Sequence, residues 1–138
     1  MAAQDIYHDV VCDALENDGW TITDDPLILS VEGTTVKIDL GAEELLAAER
    51  NGRKIAVEIK SFLNPSPISD FHLALGQYLN YEYALEEREP ERHLFLAVPS
   101  DAYDGFFVGH FAQQMIRRHG LRILVFDPDQ KVIVKWDE

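Results

Sequence analysis

The sequence predicts an α/β fold in which a mixed β-sheet carries helices on both faces. In the second half of the chain, strand-like segments rich in Val and Ile alternate with segments of helical periodicity. Residues 93–98 are almost continuously apolar, which is typical of a central strand covered on both faces. In the first half, short strand-like segments are separated by turn signals, which indicates a meander. These three observations together predict a mixed sheet.

The chain is expected to begin with a helix and to continue as a meander of short strands. Apolar residues recur at helical spacing over residues 5–18, and Gly19 is typical of a helix stop. Two turn signals rich in Asp, Pro and Gly follow, at residues 24–26 and 32–34. They separate three predicted strands, which are residues 20–23, 27–31 and 36–40.

The segment before the next strand is expected to be helical. Residues 43–50 are rich in Leu, Ala and Glu, which favour a helix by intrinsic propensity. Asn51-Gly52 is a turn signal, and in residues 54–60 the apolar side chains alternate as in a strand. The strands over residues 36–40 and 54–60 would then follow one another and be neighbours in one sheet.

The second half is predicted to alternate helices and strands. A long helix is expected from about Ser69 to Glu89, and a second one over residues 103–119, where Gly105 and Gly109 weaken the first half. Strand–helix–strand crossovers imply parallel neighbours in the sheet. The predicted strands of this half are residues 93–98, 121–126 and 132–136.

Composition indicates one globular domain over residues 1–138. Apolar residues make up 46% of the chain, but no apolar run approaches the roughly 20 residues that cross a bilayer. The N-terminal residues lack the basic and apolar regions of a signal peptide. We therefore expect a cytoplasmic protein that does not enter a membrane.

The charge balance bears on the kind of partner. A net charge of −13 opposes tight independent binding to DNA, because such binding depends on Lys and Arg that neutralise phosphates. Two local basic groups remain: Arg117, Arg118, His119 and Arg122, and also Arg88, Arg92 and His93. Each is either a phosphate-binding patch or a solvated helix end, where cations are favoured in any case. The sequence predicts weak binding to DNA and favours a basic partner protein.

Two acidic residues in strand-like segments suggest a site. Asp39 and Glu58 both lie near predicted core, where a carboxylate is costly unless it is paired or bound to a cation. With Lys60 they indicate a hard-metal site for phosphate chemistry. The alternative is that the acids form ordinary ion pairs with Lys60, Lys37 or Lys54 across an exposed face of the sheet.

Asp39 followed by Glu58-Ile59-Lys60 resembles the motif of the PD-(D/E)XK nuclease superfamily, with Ile38-Asp39 where Pro-Asp is usual. Gln77 and Tyr81 match a further Q-x-x-x-Y signature and share one face of a helix. The alternative is that this face simply packs in the core.

The resemblance implies a restriction-endonuclease-like fold, and often a homodimer. It also implies Mg²⁺, or alternatively Mn²⁺, held by Asp39, Glu58 and the carbonyl of Ile59, with Asp9 or Glu43 as further acids. Lys60 would orient the attacking water or stabilise negative charge. Gln77 and Tyr81 would position the substrate or the water.

Over almost its whole length the sequence also resembles a narrower family, XisH, which is named for the fdxN element excision controlling factor of cyanobacteria. The matching segments are residues 5–9, 18–27, 38–43, 55–62, 74–78 and 124–128. The resemblance implies excision of a DNA element during heterocyst differentiation, beside a site-specific recombinase and an XisI-like companion protein. Two functions stay open: a Mg²⁺-dependent endonuclease, and a catalytically silent nuclease-fold subunit that regulates the recombinase.

A site built on His and Cys is not expected. His72 and His110 have no His or Cys partner at ligand spacing, so zinc is disfavoured. Asp5, His8 and Asp9 read as a solvated face of the first helix turn. Cys12, the single cysteine, reads as an inert core thiol.

Overall fold

The computed structural model describes residues 6–36 and 45–138, and these residues form a mixed six-stranded sheet with a helix layer on each face. The strands are β1 (Thr21–Asp24), β2 (Leu29–Val31), β3 (Thr34–Val36), β4 (Leu45–Arg50), β5 (Arg53–Ile59), β6 (Arg92–Pro99), β7 (Ile123–Asp127) and β8 (Val132–Asp137). The helices are α1 (His8–Asn17), α2 (Pro67–Arg88), α3 (Ser100–Ala102) and α4 (His110–His119).

The six-stranded sheet has the order β1-β4-β5-β6-β7-β8, and β2 and β3 form a separate hairpin. The pairs β5–β6 and β6–β7 are parallel, and the other three pairs in this sheet are antiparallel. The predicted mixed sheet and both parallel crossovers are confirmed. Parallel neighbours arise here because α2 and then α3 and α4 carry the chain back between successive strands.

Two hydrophobic clusters cover the two faces of this sheet. Along β5, Ile55, Val57 and Ile59 belong to the cluster beneath α1, whereas Ala56 belongs to the cluster beneath α2 and α4. This alternation follows from the period of two in a strand. Glu58 has the parity of Ala56, so its side chain is directed to the face that α2 covers.

The helix predicted over residues 43–50 is wrong where the structure describes it, because residues 45–50 form β4. This strand lies between β1 and β5, and Leu46, Ala47 and Ala48 are fully buried on its two faces. Asn51 and Gly52 both have positive φ, 51° and 80°, and close a tight turn from β4 to β5. Burial between two strands thus outweighs the local helix propensity of Leu and Ala.

The strand predicted over residues 36–40 does not join the main sheet at its described end. Val36 ends β3, which pairs with β2, and the strands beside β5 are β4 and β6. Residues 37–44, which include Asp39 and Glu43, lie outside the described residues, so their predicted placement beside β5 stays a prediction.

The helix predicted over residues 103–119 is interrupted. A π-helical turn at Tyr103–Phe107 follows α3, and α4 begins only after Gly109, whose ψ of 158° is extended. Glycine stabilises a helix poorly, which explains why the break falls here. None of the helices within residues 6–36 and 45–138 is long and apolar enough to cross a membrane.

Candidate functional site

Glu58 is a carboxylate placed inside the protein. It lies one residue before the end of β5 and has 0% of its surface exposed. Within the described residues, neither of its carboxylate oxygens has a hydrogen-bond partner. Burial raises the pKa of Glu58 well above its usual value. A buried carboxylate of this kind is stable only if it holds a proton or meets a cation.

The exposed-face alternative for this acid is wrong. The face that carries Glu58 is covered by α2 and is not solvated. Lys54, one of the proposed ion-pair partners, approaches Glu49 at 3.9 Å and Glu91 at 3.7 Å instead. Glu58 is therefore not one of a row of paired charges on an exposed face of the sheet.

Lys60 and Ile59 follow Glu58 at the carboxyl end of β5. Lys60 is also buried, and its main-chain N–H donates to the carbonyl of Ala97 at 3.0 Å, which continues the pairing with β6. The side chain of Ile59 lies in the cluster on the opposite face. The main-chain carbonyl of Ile59 stays a predicted ligand, since the apolar side chain offers no ligand atom.

The long helix α2 supplies the other two predicted residues. Tyr81 is buried, and its pKa is raised chiefly by burial and in addition by the charge of Glu58, which therefore lies within electrostatic range of the Tyr81 hydroxyl. Gln77 stands one turn earlier on the same helix, and its amide oxygen Oε1 is buried without a hydrogen-bond partner in the described part of the chain. Strand and helix therefore converge as the sequence predicts.

The orphaned buried atoms of the described residues are all acceptors in Glu58 and Gln77. A native core satisfies nearly all of its buried polar atoms, and each exception calls for a partner such as an ion or water. Oxygen atoms alone, from a carboxylate and an amide, are the ligands that Mg²⁺ and other hard cations prefer. The donor set at this position therefore fits Mg²⁺.

Tyr78, which is next to Gln77 on α2, does pack in the core, as the alternative interpretation of this helix face predicts. Its hydroxyl donates to the carbonyl of Leu94 at 3.2 Å and accepts from the main-chain N–H of Arg122 at 3.1 Å. These two bonds fasten α2 to β6 and to the start of β7. The structure gives Tyr81 no equivalent pair of hydrogen bonds within the described residues, so the two tyrosines of this helix have different surroundings.

The proposed further acids do not join Glu58 in the part of the chain that the structure describes. Asp9 lies on α1, which covers the opposite face of the sheet, and its carboxylate oxygen Oδ1 stands 3.1 Å from Nδ1 of His8. Asp39 and Glu43, like Asp5, fall outside residues 6–36 and 45–138. Of the predicted metal ligands, the described residues thus place Glu58 and Ile59.

A nuclease cleft would place Arg and Lys around its acids, but among the described residues Arg53, Lys54 and Arg88 are engaged elsewhere. Arg53 and Lys54 stand at the other end of β5, about 13–17 Å away from Glu58 along an extended strand. Arg53 is paired with Glu138, and Arg88 donates to the carbonyl of Ser30. Lys37 lies outside the described residues.

Arg92 is not part of a basic surface, although the sequence suggests it. Its side chain is only 5% exposed, and it bonds Glu89 at 2.9 Å and the carbonyl of Ile55 at 3.0 Å. The basic group at the end of α4 is partly neutralised too. Its Arg117 and Arg122 line a cleft together with Asp137 and Glu138. Neither group is an uninterrupted phosphate-binding patch.

A second polar cluster was not predicted. His8 is only 5% exposed, so the solvated interpretation of this residue is wrong. Its Nε2 lies 2.9 Å from Oδ1 of Asp25 and 3.9 Å from Sγ of Cys12. The spacing of four between His8 and Cys12 was the one available signal, because it places both on one face of α1.

Comparisons with known proteins agree with the fold. The family model described as XisH protein matches residues 1–134. A crystal structure of an XisH family protein from Nostoc punctiforme PCC 73102 is 50% identical and has a TM-score of 0.90, covering 97% of this chain and 100% of its own.

A second crystal structure, of a fdxN element excision controlling factor protein from Anabaena variabilis, is 49% identical and has a TM-score of 0.87. The match covers 96% of this chain and 98% of that chain. A search of curated proteins found no match. The chain is thus a mixed α/β protein with a buried acidic site, and it belongs to the XisH family.

Proposed function

We propose that this protein controls the excision of a DNA element and contains a Mg²⁺-dependent phosphodiesterase site around Glu58. The family supplies the first part, since a relative 49% identical is named a fdxN element excision controlling factor. The buried carboxylate of Glu58, which has no hydrogen-bond partner within the described residues, carries the second part. Placement in the PD-(D/E)XK nuclease superfamily is part of this proposal.

The ion would be held by Glu58, the carbonyl of Ile59 and Asp39. Bound there, Mg²⁺ would polarise the scissile phosphate and lower the pKa of a coordinated water. Lys60 follows directly at the end of β5 and would place its ammonium group against the negative charge that develops on the phosphate. Its burial would strengthen this interaction, because little water would screen it.

Gln77 and Tyr81 would position the reacting groups. The amide oxygen of Gln77 would accept a hydrogen bond from the attacking water, which would orient the water towards the phosphorus. The Tyr81 hydroxyl would donate to a phosphate oxygen, and its raised pKa keeps it protonated for that role at neutral pH.

The charge of the chain supports the proposal that it binds DNA together with partners. The net charge of −13 and the pairing of Arg53 and Lys54 with acids leave little electrostatic attraction for a duplex. We therefore propose weak DNA binding by this chain alone, and stronger binding as a homodimer or in a complex with an XisI-like companion and a site-specific recombinase.

The same observation favours a second candidate function. A nuclease-fold subunit that regulates a recombinase by protein–protein contact, and that cleaves nothing, requires no basic cleft around its acids. In this case Glu58 would hold a proton in place of an ion, which its raised pKa permits.

The deciding experiment is calorimetric binding of Mg²⁺ and Mn²⁺, followed by cleavage of supercoiled plasmid and branched DNA. Wild type is compared with Glu58→Gln, which keeps the shape of the side chain and removes its charge. Glu87→Gln, an exposed substitution on α2, is the matched control. Metal binding and cleavage that are kept by the control and lost in Glu58→Gln would support the proposed enzyme.

Two other results separate the candidates. Metal binding at Glu58 without cleavage, by the chain alone and with its companion, would favour the regulatory subunit. No binding at millimolar Mg²⁺ or Mn²⁺ would overturn the metal site itself.

A further inference from the structure

A second constellation of ligand atoms lies on the opposite face of the sheet from Glu58. One turn of α1 separates His8 from Cys12, and Asp25 comes from the turn after β1. One ligand atom of each of these three residues lies within 4.8 Å of the others. The cluster is therefore built by two elements that are distant in sequence and meet at one point.

The separations are close to those of a tetrahedral metal site. Bonds of about 2.0–2.3 Å from Zn²⁺ to nitrogen, sulfur and oxygen place neighbouring ligand atoms about 3.3–3.8 Å apart. Sγ of Cys12 is 3.9 Å from Nε2 of His8, and Oδ1 of Asp25 is 2.9 Å from the same nitrogen. Both separations are within about half an ångström of these values, a difference that side-chain rotations can absorb.

The hydrogen bonding of His8 is the second observation that points to a cation. Its Nδ1 lies 3.1 Å from Oδ1 of Asp9, while its Nε2 faces Asp25. Carboxylates only accept hydrogen bonds, so a neutral imidazole can satisfy one of these two acids and not both, whereas a protonated or a metal-bound imidazole satisfies both. With a metal ion at Nε2, Nδ1 keeps its proton for Asp9, which is the outer-shell arrangement that orients most metal-bound histidines.

We propose that His8, Cys12 and Asp25 bind a transition-metal ion of the Zn²⁺ class, with the fourth position open to water. Nitrogen, thiolate and carboxylate ligands together suit a borderline-soft ion and do not suit Mg²⁺. Asp9 and Asp25 are exposed, so the ion has a path from solvent. The expectation that a zinc site is disfavoured is thereby reversed for α1.

The ion would join α1 to the turn after β1. These two elements are connected in the chain only through the loop at Asp18 and Gly19, so a metal bridge would add a second link. Burial first, and then the charges of Asp25 and Asp9, raise the pKa of Cys12 to about 12. The metal would replace the thiol proton and turn this inert group into a ligand.

The test is a cobalt(II) titration of protein stripped with a chelator. Cobalt bound to a thiolate gives a ligand-to-metal charge-transfer band in the near ultraviolet, and Cys12 is the only cysteine in the chain, so such a band can be assigned. We expect the band to saturate at one cobalt per chain and to disappear when Zn²⁺ is added. Zn²⁺ affinity is then measured by competition with a chromophoric chelator.

Five variants make the test specific. Cys12→Ser should lose the band, and Asp25→Asn should lower Zn²⁺ affinity by at least tenfold. Asp9→Asn, which removes only the outer-shell acceptor, should lower it about 10–100-fold. His72→Gln, an exposed histidine on α2, and Glu58→Gln should both bind as wild type does, which separates this site from the proposed Mg²⁺ site.

The proposal fails on either of two results. One is the absence of the band at stoichiometric cobalt. The other is a Zn²⁺ affinity that is equal in wild type, Cys12→Ser and Asp25→Asn, which would mean adventitious surface binding. Thermal unfolding of each variant in chelator shows that it is folded, and Asp9→Asn and Asp25→Asn, at exposed positions, are the ones least expected to disturb the core.

Discussion

The buried carboxylate of Glu58 on β5 lies within electrostatic range of the buried hydroxyl of Tyr81 on α2. Burial chiefly, and then the Glu58 carboxylate, raise the pKa of the Tyr81 hydroxyl, and burial alone raises that of Glu58. An ionised Glu58 therefore opposes ionisation of Tyr81. A cation bound at Glu58 would offset this effect, so the pair should respond to pH and to metal in a way that an ordinary core pair does not.

The stability of the metal-free protein should fall as pH rises above about 4.5. The folded-state pKa of Glu58 lies well above 4.5, its usual value in an unfolded chain, so over that interval the folded protein binds more protons than the unfolded one. The free energy of unfolding then decreases with pH, by at most about 1.4 kcal/mol per unit for one group. Below pH 4.5 this contribution is constant, because both states are protonated.

Urea unfolding of wild type and Glu58→Gln from pH 4 to pH 8, in chelator, measures this effect. The variant cannot ionise, so its stability relative to wild type should increase with pH across the same interval. The free energy of unfolding of Glu87→Gln, on the exposed side of α2, should depend on pH as that of wild type does. A constant difference between wild type and Glu58→Gln would mean that Glu58 does not titrate abnormally.

Two tyrosines on α2 allow a structural role to be separated from a functional one. Tyr78→Phe removes a hydroxyl that bonds both Leu94 and Arg122, and it should reduce the free energy of unfolding by about 1–3 kcal/mol. Tyr81→Phe leaves no such pair of main-chain groups unsatisfied in the described residues, and it should cost less than about 1 kcal/mol.

The cleavage assay should show the reverse order. At temperatures below its unfolding midpoint, Tyr78→Phe should keep its cleavage activity. The cleavage rate of Tyr81→Phe should fall at least about tenfold, because the hydroxyl that it lacks would contact the phosphate. Equal losses of stability and activity in both variants would assign Tyr81 to the core alone.

The site could be predicted where it depends on local periodicity. Glu58 follows Ala56 at a period of two, and Gln77 and Tyr81 are one helical turn apart, so strand and helix each present a defined face. The parallel crossover through α2 then brings these faces together. None of this requires knowledge of distant contacts.

Other features could not be predicted because they depend on tertiary context. The residues of β4 favour a helix by local propensity, and only the position between β1 and β5 makes them a strand. Local propensity contains no information about that position. His8 and Asp25 meet across 17 residues because α1 folds back beside β1, and a solvated face and a buried cluster look identical at that spacing. Tertiary packing, not sequence pattern, decides both.

The turn that places β4 beside β5 should be sensitive to glycine replacement. Gly52 has φ of 80°, and a Cβ added there would meet open space, so Gly52→Ala should destabilise through backbone strain alone, by about 1–2 kcal/mol. Gly76→Ala is the matched control. It lies inside α2 with equal space, and it should stabilise by about 0.5–1 kcal/mol in the same urea titration.

Arg92 should matter for stability and not for DNA. Its guanidinium bonds Glu89 and the carbonyl of Ile55 in a buried setting, so Arg92→Ala should leave these acceptors unpaired and cost about 3–5 kcal/mol. Arg118→Ala, on the exposed last turn of α4, should change stability by no more than about 0.5 kcal/mol.

Binding of labelled duplex DNA at low salt checks the second half of this prediction. Arg118→Ala should weaken binding if the last turn of α4 contacts phosphate, and the salt dependence should become less steep. Arg92→Ala, measured at a temperature where it remains folded, should bind DNA as wild type does, because its charge is already neutralised by Glu89. A weaker affinity of folded Arg92→Ala for DNA would instead mean that Arg92 belongs to a DNA-binding surface, as its place in the sequence suggests.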